Sequence, residues 1–422
     1  HSQVLLLAIG IVPAACSDDG QSVRASNSTT FTSTSLSSTA ESMATDEQPT
    51  SENSGGGTGS ASMVGTTNSG LTTGNSTTDG PLTCETDPPD GFMAPFDDAC
   101  AVVPAVGVFT PVLEWHKQTW TVESGSASCR SMPLVVQLSD DNNDGTVGLD
   151  DTPDIVLLTS GAMAPTMLRA ISGDGLTEIF NVAVPEVNNT STLAAADIDG
   201  DQIVEIVAIN SMGSVLAYEH DGTIKWQADT ITKHVGEYYN APAISDMDGD
   251  GTPEIIVGRA ILSSGGAFVA AGEFGIGSNA YSGSAQSFAV DLDGDGTQEV
   301  VVGNAIYDFA GSAVWSNNEL DGFPAIADLE NDGTPEIIVA TDGQLRAQSS
   351  INGSVLWTAV IPGNRGGPPA VADFDGDTLP EIGIATRNAY LVYDSDGSIL
   401  WQNPTTDNSS GVTGSAVYDF EG

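Results

Sequence analysis

The sequence predicts an all-β fold, a β-propeller built from four-stranded blades, and two observations lead to that prediction. A short acidic loop recurs from residue 140 onward, and its copies begin 37 to 57 residues apart. A repeat of about 40–50 residues is typical of propellers and related arrays. Between successive loops lie four apolar segments separated by turn residues, which corresponds to the four strands of one propeller blade.

The clearest copy of the loop runs from Asp246 to Glu254 and is followed directly by Ile255-Ile-Val-Gly258. Its carboxylates stand at positions 1, 3, 5 and 9, and a tight turn makes such side chains converge on one point. Calcium takes six to eight oxygen ligands, and the EF-hand loop uses the same 1, 3, 5 series with Gly at position 6. The loop therefore predicts a calcium site in which position 9 supplies the last carboxylate and a strand follows.

Four further copies have the same length and the same pattern. The candidate metal ligands of the five regular loops are Asp197, Asp199, Asp201 and Glu205; Asp246, Asp248, Asp250 and Glu254; Asp291, Asp293, Asp295 and Glu299; Asp328, Glu330, Asp332 and Glu336; and Asp373, Asp375, Asp377 and Glu381. These loops hold 20 of the 57 acidic residues of the chain. Because so many unpaired carboxylates would repel one another, metal-filled loops are the economical explanation of the acidity.

An earlier loop is longer and leads into Asp154-Ile-Val-Leu-Leu. Its candidate ligands are Asp140, Asn142, Asp144 and Asp151, since an insertion lets it close on Asp151 as a twelve-residue EF-type loop would. At the other end, Asp419-Phe-Glu-Gly422 resembles the start of a seventh copy, so we expect the last blade to be truncated in this sequence.

The regular loops differ in how well their sequences fit a calcium site. Those beginning at Asp246, Asp291 and Asp328 keep Gly at position 6, whereas Gln202 and Thr378 take this place in the other two. Since the turn is sharp at position 6, we expect weaker sites in those two. At the 328 loop, the longer arm of Glu330 at position 3 is expected to shift the geometry.

The strands follow one template. Uniformly apolar segments such as Ala241-Pro-Ala-Ile-Ser and Ile255-Ile-Val-Gly flank the loop, which is typical of strands buried on both faces. A third strand alternates, an Asp-Gly or Asn-Gly hairpin turn follows, and the fourth strand carries a Trp that we assign to packing between blades. Ser263-Ser-Gly-Gly and 272–277 are expected to make the third blade irregular.

Composition excludes several classes of function. With 10 basic and 57 acidic residues the formal net charge is −47, while 40 % of the 422 residues are hydrophobic. Such a surface repels nucleic acid and anionic lipid headgroups. The sequence contains no His-Glu-x-x-His, Gly-x-Ser-x-Gly or P-loop motif, so no catalytic residue is assigned.

Residues 1–16 are predicted to be a signal peptide that ends in a lipobox-like sequence. The apolar run 4–12 is too short to span a bilayer, which takes about 20 residues, and it fits the h-region of a signal peptide. Pro13-Ala-Ala-Cys16 resembles the lipobox of bacterial lipoproteins, in which the cysteine is lipidated. The alternative is a plain secretory signal with an unmodified cysteine.

Residues 17–83 are rich in Ser, Thr, Gly and Asn, so we expect a disordered linker with a span of roughly 45 Å. Residues 84–132 are expected to form an irregular cap with a possible ring-closing strand ending at Trp115, ahead of the propeller at 133–422. The cysteines besides Cys16 are Cys84, Cys100 and Cys129. The nearest pair, Cys84 and Cys100, is the weakly favoured disulfide, and a partner beyond Gly422 is the alternative.

Asp-x-Asp-Gly-Asp-Gly-x-Pro-Glu followed by Ile-Ile-Val-Gly resembles the FG-GAP/VCBS repeats of integrin α-chain propellers and their bacterial relatives. The resemblance covers about residues 105–422 and implies a seven-bladed ring. It also implies that calcium lies between the first and second strands of a blade, held by positions 1, 3, 5 and 9 and by the carbonyl at position 7. Glu replaces the Asp that many bacterial members have at position 9.

The function expected from this resemblance is that of a calcium-stabilised binding or adhesion module with a glycan or protein ligand. We expect it at the bacterial outer membrane, cell surface or periplasm, held by a lipid anchor, or otherwise secreted. One alternative is a polysaccharide-active enzyme whose catalytic residues lie outside this fragment. Another is an outer-membrane scaffold lipoprotein, since Tyr393 to Trp401 also resembles quinoprotein-like propeller repeats.

Overall fold

The strand–loop–strand unit that the sequence repeats is present six times in the computed structural model of the chain. The structure describes residues 113–148, 150–279, 283–407 and 411–417, all within one compact unit. In these residues, 25 strands form six antiparallel sheets. The predicted all-β fold with four-stranded blades is confirmed. No helix in the described ranges has the length and apolar character that crossing a membrane would require.

We number the sheets as blades 1 to 6 in chain order. Blade 1 contains β1 (Ser128–Cys129), β2 (Leu134–Val136), β3 (Asp154–Gly161), β4 (Ala164–Ser172) and β5 (Glu178–Ala183). Blade 2 contains β6 (Ala194–Ala196), β7 (Glu205–Ile209), β8 (Val215–Tyr218) and β9 (Ile224–Gln227). Blade 3 contains β10 (Ala243–Ser245), β11 (Glu254–Val257), β12 (Ala260–Leu262) and β13 (Phe268–Ala271).

Blade 4 contains β14 (Phe288–Val290), β15 (Glu299–Val302), β16 (Ala305–Tyr307) and β17 (Ala313–Ser316). Blade 5 contains β18 (Phe323–Ala327), β19 (Glu336–Thr341), β20 (Gln344–Ser349) and β21 (Val355–Val360). Blade 6 contains β22 (Ala370–Ala372), β23 (Glu381–Ala385), β24 (Ala389–Tyr393) and β25 (Ile399–Pro404).

Blade 1 departs from the others at its first strand. Both β1 and β2 pair with β3, β1 opposite Thr159 and Ser160 and β2 opposite residues 154–156. The two short strands therefore share the place that a single first strand takes in blades 2 to 6. In blades 2 to 6 the strands follow one another in chain order, so every connection inside these blades joins two antiparallel neighbours.

The second strand of each blade is buried on both faces, as its apolar sequence predicts. In β7, Ile206 and Ala208 pack into a cluster with blade 1, whereas Val207 and Ile209 pack into a cluster with blade 3. Similar clusters join blades 3 and 4, 4 and 5, and 5 and 6. Side chains that alternate along a strand thus supply two different cores, which fixes the stacking of neighbouring blades.

The first strands lie at the inner side of the stack and the fourth strands at its outer side. First strands of neighbouring blades contact one another, as β6 contacts β10 and β10 contacts β14. The fourth strands, by contrast, carry the exposed apolar residues Ile224, Val314, Val355 and Ile399. This arrangement is that of blades packed around their first strands, as in a propeller.

The alternating third strands are buried on both sides, although alternation predicts one polar, solvent-facing side. In β20, Arg346 and Gln348 are fully buried. Arg346 Nε donates to Gln348 Oε1 at 3.0 Å, and Nη2 donates to the carbonyls of Gly303 at 2.6 Å and Leu320 at 2.8 Å. The polar side chains of this strand therefore cap backbone carbonyls of blade 4 and of the connection that follows it.

The hairpin turns and the Trp residues form one packing motif. Gly266, Gly353 and Gly397 adopt positive φ at the turn between the third and fourth strands. A Cβ atom on any of them would overlap the indole ring of the preceding blade, carried by Trp226, Trp315 and Trp357 respectively. The Trp residues thus pack between blades, as the sequence predicts.

The expected irregularity of blade 3 is wrong for Ser263-Ser-Gly-Gly. Ser263 N–H donates to the Ala267 carbonyl and Gly266 N–H donates to the Ser263 carbonyl, both at 2.8 Å. Glu219, Gly222 and Thr223 of blade 2 make the same pair of bonds. The residues 272–277 lie after β13, in the connection to blade 4, so neither segment disrupts the sheet.

Candidate metal centre

Each regular acidic loop joins the first strand of a blade to its second strand. The strand register places position 9 opposite the last residue of the first strand, as Glu254 pairs with Ser245 and Glu205 with Ala196. Positions 1 to 8 therefore form the whole turn. The turn must reverse the chain within these eight residues, so its backbone N–H groups point inward and need acceptors.

The carboxylate at position 1 supplies two of those acceptors. In blade 3, Asp246 Oδ1 accepts the Asp250 N–H at 3.1 Å and Oδ2 accepts the Gly251 N–H at 2.9 Å. The first carboxylate accepts the same pair of N–H groups in the loops that begin at Asp140, Asp197, Asp291 and Asp328. Asp373 accepts the N–H groups of positions 4 and 6 instead. The backbone thus holds the position 1 carboxylate over the centre of each loop.

Positions 3 and 5 are held by the same kind of bond. Asp248 Oδ1 accepts the Asp250 N–H at 3.2 Å, and Asp250 Oδ1 accepts the Thr252 N–H at 2.7 Å. Each of these carboxylates keeps its other oxygen free of such bonds. A carboxylate oxygen has two lone pairs, so the bonded oxygens also retain acceptor capacity for a cation.

Position 6 takes a left-handed backbone conformation in all five loops. The φ angles are 88° for Gly251, 91° for Gly296 and 86° for Gly333, and they are 71° for Gln202 and 79° for Thr378. A residue other than Gly is strained there by about 1–2 kcal/mol. The loops with Gln202 and Thr378 nevertheless keep the turn, and the expected weakness of these two sites stays a prediction.

Position 9 is a buried glutamate that reaches back across the turn. Its Oε2 accepts the N–H of position 2, in blade 3 from Met247 at 2.9 Å. The same bond in the other blades is made by Ile198, Leu292, Leu329 and Phe374, to Glu205, Glu299, Glu336 and Glu381 respectively. The position 9 carboxylate is therefore turned back toward the loop, and in blades 2 and 6 it lies within metal-binding reach of the loop aspartates.

Burial and the neighbouring aspartates raise the pKa of these glutamates. Burial, followed by the charges of the loop aspartates, raises the pKa of Glu254 and of Glu381 to about 7. Burial also raises the pKa of Glu205, Glu299 and Glu336. A divalent cation among the carboxylates would lower these pKa values again, because it stabilises the ionised form of every carboxylate.

Four of the loops gather their acidic side chains within metal-binding reach. In each group the candidate ligand atoms lie within 4.8 Å of one another. The groups are Asp373, Asp375, Asp377 and Glu381; Asp197, Asp199 and Glu205; Asp246, Asp248 and Asp250; and Asp291, Asp293 and Asp295. These acidic clusters could bind metal ions such as Ca²⁺. The 328 loop, with Glu330, does not form such a group in the described part of the chain.

The blade 6 cluster best fits a cation, because one of its acceptors has no other partner. Glu381 is 1 % exposed, and its Oε1 is buried without a hydrogen-bond donor. An unpaired buried carboxylate oxygen is costly. Since Glu381 belongs to the group that includes Asp373, Asp375 and Asp377, a cation bound by that group would lie beside the buried carboxylate and could supply the missing partner.

The longer loop of blade 1 closes on two carboxylates. Asp151 accepts the N–H groups of Asn142 at 3.1 Å and Gly148 at 2.8 Å. The buried Asp154 begins β3 and accepts the N–H groups of Leu138 and Ser139 at 2.9 and 2.8 Å. Asp154 thus takes the structural place of the position 9 glutamate. The ligand set Asp140, Asn142, Asp144 and Asp151 stays a prediction, because these side chains do not form a metal-binding group in the described part of the chain.

The blade 2 loop contains a cation that the sequence analysis missed. The ammonium group of Lys225 lies 2.7 Å from Asp199 Oδ2 and 3.3 Å from Glu205 Oε1, and it also bonds Glu219 Oε1 at 3.0 Å. Hydrogen bonding to Lys225 lowers the pKa of Asp199. The signal in the sequence is the Lys of Ile224-Lys-Trp226, where the other Trp-bearing strands have Val or Leu before the Trp.

Three predicted site residues lie outside the described residues, namely the lipidation site Cys16 and the disulfide pair Cys84 and Cys100. Among the described residues, Cys129 is a free thiol whose Sγ donates to the Ser131 carbonyl at 3.2 Å. Burial raises its pKa to about 11, so the thiol is protonated at neutral pH.

The fold and the loops together define the class of the protein: a stack of propeller blades with an acidic loop between the first two strands of each blade. Residues 197–257 match the family of FG-GAP-like repeats. They include the whole of the blade 2 loop and the blade 3 loop with its following strand. The resemblance seen in the sequence is therefore confirmed for this part of the chain. No curated protein gives a significant match to the sequence.

Solved structures resemble the fold at low sequence identity. The biofilm matrix protein Bap1 of V. cholerae is 20 % identical, with a TM-score of 0.52, and the match covers 73 % of this chain and 64 % of that one. The rhamnogalacturonan lyase YesW is 14 % identical over 70 % of this chain and 63 % of its own, with a TM-score of 0.45. BamB from Moraxella catarrhalis is 17 % identical over 64 % and 76 %, with a TM-score of 0.40. The chain thus spans less than two thirds of the first two structures.

Proposed function

We propose that this chain is a calcium-stabilised binding module displayed at the bacterial surface, with a glycan or a protein as its ligand. The observation that carries the calcium part is the blade 6 cluster, in which Glu381 is grouped with three aspartates and has a buried Oε1 without a hydrogen-bond partner. Oxygen-only ligands on a flexible turn suit calcium, which accepts irregular geometry, better than magnesium or zinc.

The role of the metal in this proposal is structural. Each loop joins the first strand to the second, and the position 9 glutamate begins a strand that is fully buried in blades 2 to 5 and buried except for its last residue in blade 6. A cation in the loop therefore ties the inner strand to the core strand and neutralises the surrounding carboxylates. Metal binding of this kind contributes directly to folding free energy.

The ligand in this proposal contacts the end of the blades opposite the acidic loops. That end carries the turns between second and third strands and the connections between blades. Its exposed large side chains are Met163, Met212, Tyr238, Phe274 and Leu320. Exposed aromatic rings beside polar loops are suited to stacking on sugars or on protein side chains. The acidic end, in contrast, is occupied by metal loops.

The surface location is supported by the sequence and by one fold relative. Cys16 ends the lipobox-like segment, and residues 17–83 have the composition of a tether. The similar structure with a TM-score of 0.52, Bap1, is a biofilm matrix protein. Its sequence identity of 20 % supports only a shared fold. We propose the same general setting, an exported protein at the cell surface, with the lipid anchor as its membrane contact.

The decisive experiment is thermal unfolding of metal-stripped protein with and without added calcium, with bound metal counted by native mass spectrometry. The proposal expects several calcium ions for each chain and a melting temperature that rises by 10 °C or more. Bound metal with an unchanged melting temperature would remove the stabilising role. A chain that takes up no metal would favour the scaffold alternative.

The binding role is tested with immobilised polysaccharides, for example alginate, dextran and rhamnogalacturonan, and with intact cells. Retention that is lost in a Tyr238→Ala, Phe274→Ala double variant would support the proposed binding end. Release of new reducing ends or unsaturated sugars from any of these polymers would instead support the enzyme alternative. For the anchor, Cys16→Ser should move the protein from the membrane fraction to the soluble fraction, and an unchanged distribution would refute lipidation.

A further inference from the structure

All six blades share a β-bulge at the same place between the third and the fourth strand. In blade 2, Ala217 pairs with Trp226 and Tyr218 pairs with Ile224, so Lys225 has no partner across the pair. The corresponding extra residues of the blades are Ile179, Lys225, Val269, Val314, Leu356 and Leu400. A bulge of this kind re-aims the side chain that it inserts.

Five of the six bulge residues are apolar, and only the blade 2 bulge carries a charge. Its side chain is 18 % exposed and turns toward the acidic loop of its own blade. The ammonium bonds Glu205 Oε1, which is the oxygen that corresponds to the unpartnered Glu381 Oε1 of blade 6. It also bonds Asp199, the position 3 carboxylate of the loop, at 2.7 Å.

We propose that blade 2 carries its own cation: the Lys225 ammonium occupies the metal position of the 197–205 loop, which closes without calcium. The proposal rests on the proposed function, in which the other acidic loops bind calcium. Calcium bonds oxygen at about 2.3–2.6 Å, and Asp199 Oδ2 and Glu205 Oε1 already face the ammonium. A second cation at the same oxygens would be repelled by the first.

In this proposal, blade 2 differs from blades 3, 4 and 6 in its dependence on calcium. The blade 2 loop keeps its turn under calcium depletion, because its cation is covalently part of the protein. The loops of blades 3, 4 and 6 depend on the supply of calcium. Blade 2 therefore provides a folded unit, between blades 1 and 3, onto which the calcium-dependent blades can pack.

The test is a pair of reciprocal variants of the full chain. Lys225→Met keeps the length of the side chain and restores the apolar bulge of the other blades, so it should open a metal site and bind one calcium ion more than the wild type. Leu400→Lys places an ammonium at the same bulge of blade 6 and should bind one ion fewer. Lys233→Met is the control, since Lys233 is exposed and forms no ion pair among the described residues, and its count should not change.

Native mass spectrometry in calcium gives the counts, and circular dichroism shows that each variant is folded. Crystals soaked in terbium locate the sites by anomalous scattering: a peak at the 197–205 loop should be present in Lys225→Met and absent from the wild type. A wild-type peak at that loop would overturn the inference while leaving the proposed function intact. So would an unchanged count in Lys225→Met when other loops are filled. A wild type without any metal would overturn the proposed function, and a single ion gained by Lys225→Met would still support the inference.

Discussion

The indole Nε1 of Trp115 donates a hydrogen bond of 2.9 Å to the carbonyl of Gly173, and its ring lies against Gly175, which has a positive φ. Trp315 makes the same contacts with the next blade: its Nε1 donates to the Ser350 carbonyl at 2.6 Å and its ring lies against Gly353. Trp115 therefore makes the same contacts with blade 1 that the Trp of a fourth strand makes with the next blade.

Two buried arginines repeat this relationship. Arg346 of blade 5 donates to the Leu320 carbonyl, in the connection that precedes its blade. Arg169 of blade 1 donates to the carbonyls of Val122, Glu123 and Ser126, at 3.0 to 3.1 Å. The segment 113–126 thus contacts blade 1 in the way that an outer strand and its connection contact the blade that follows them. Its part in closing the ring stays a prediction.

We predict that Trp115→Ala destabilises blade 1. The change removes the ring that covers the Gly175 turn and should lower the free energy of unfolding by about 2–4 kcal/mol. Trp115→Phe should lose less, since it keeps a ring and removes only the Nε1 bond. Urea unfolding measures the loss, and hydrogen exchange should show it first in β4 and β5. Leu113→Ala, at a residue that is 79 % exposed, should have no effect, and an equal loss there would contradict the prediction.

Gly353 tests the packing motif between blades. Its φ is 68°, and a Cβ atom would overlap the Trp315 ring, so Gly353→Ala incurs both backbone strain and a clash. We expect the free energy of unfolding to fall by about 2–5 kcal/mol, from roughly 1–2 kcal/mol of strain and a further 1–3 kcal/mol of overpacking.

Gly363→Ala is the matched control for Gly353→Ala. Gly363 has a φ of 89°, and a Cβ atom there would meet only ordinary contacts with Arg387 and Asn388. The variant should therefore show the strain alone. Similar losses of unfolding free energy for the two variants in urea melts would mean that the Trp ring moves aside at no cost.

The parts of the fold that the sequence predicted well are those that local chemistry determines. The turn from Asp246 to Glu254 is predictable from its sequence, because each acceptor and its N–H donor are only two to seven residues apart. The partners of Lys225 and Arg346 were not predicted, because they depend on a bulge register and on contacts with a neighbouring blade. The Lys before Trp226 is a local signal that this strand differs from the others, but which groups it contacts is determined only once the strands have paired.

The pH dependence of stability should reverse when calcium is added. In the metal-free protein, burial raises the pKa of Glu254 and of Glu381 from 4.5 to about 7. Between these values the folded state holds protons that the unfolded state has released, so stability falls as pH rises from about 4.5 to 7. With calcium, stability should instead rise over this range, because the metal binds the ionised carboxylates.

The measurement is urea unfolding at pH 5 and pH 7.5, in metal-free buffer and in millimolar calcium. Phe274→Ala is a suitable control, since it changes no titrating group and should leave both slopes as they are. A metal-free protein that gains stability between pH 5 and 7.5 would show that the position 9 glutamates ionise without cost in the folded state.

Glu381→Gln separates the cost of the buried charge from its benefit. Gln keeps the size of the side chain and can still accept the Phe374 N–H, but it carries no charge. In metal-free protein at pH 7.5 the variant should be at least as stable as the wild type, because a buried, poorly paired carboxylate has been neutralised. In calcium it should be less stable, since one anionic ligand of blade 6 is gone. Glu237→Gln, at an exposed residue, should match the wild type under both conditions. Calcium titration followed by melting temperature decides the outcome: a Glu381→Gln variant with undiminished stabilisation by calcium would exclude Glu381 from the metal site.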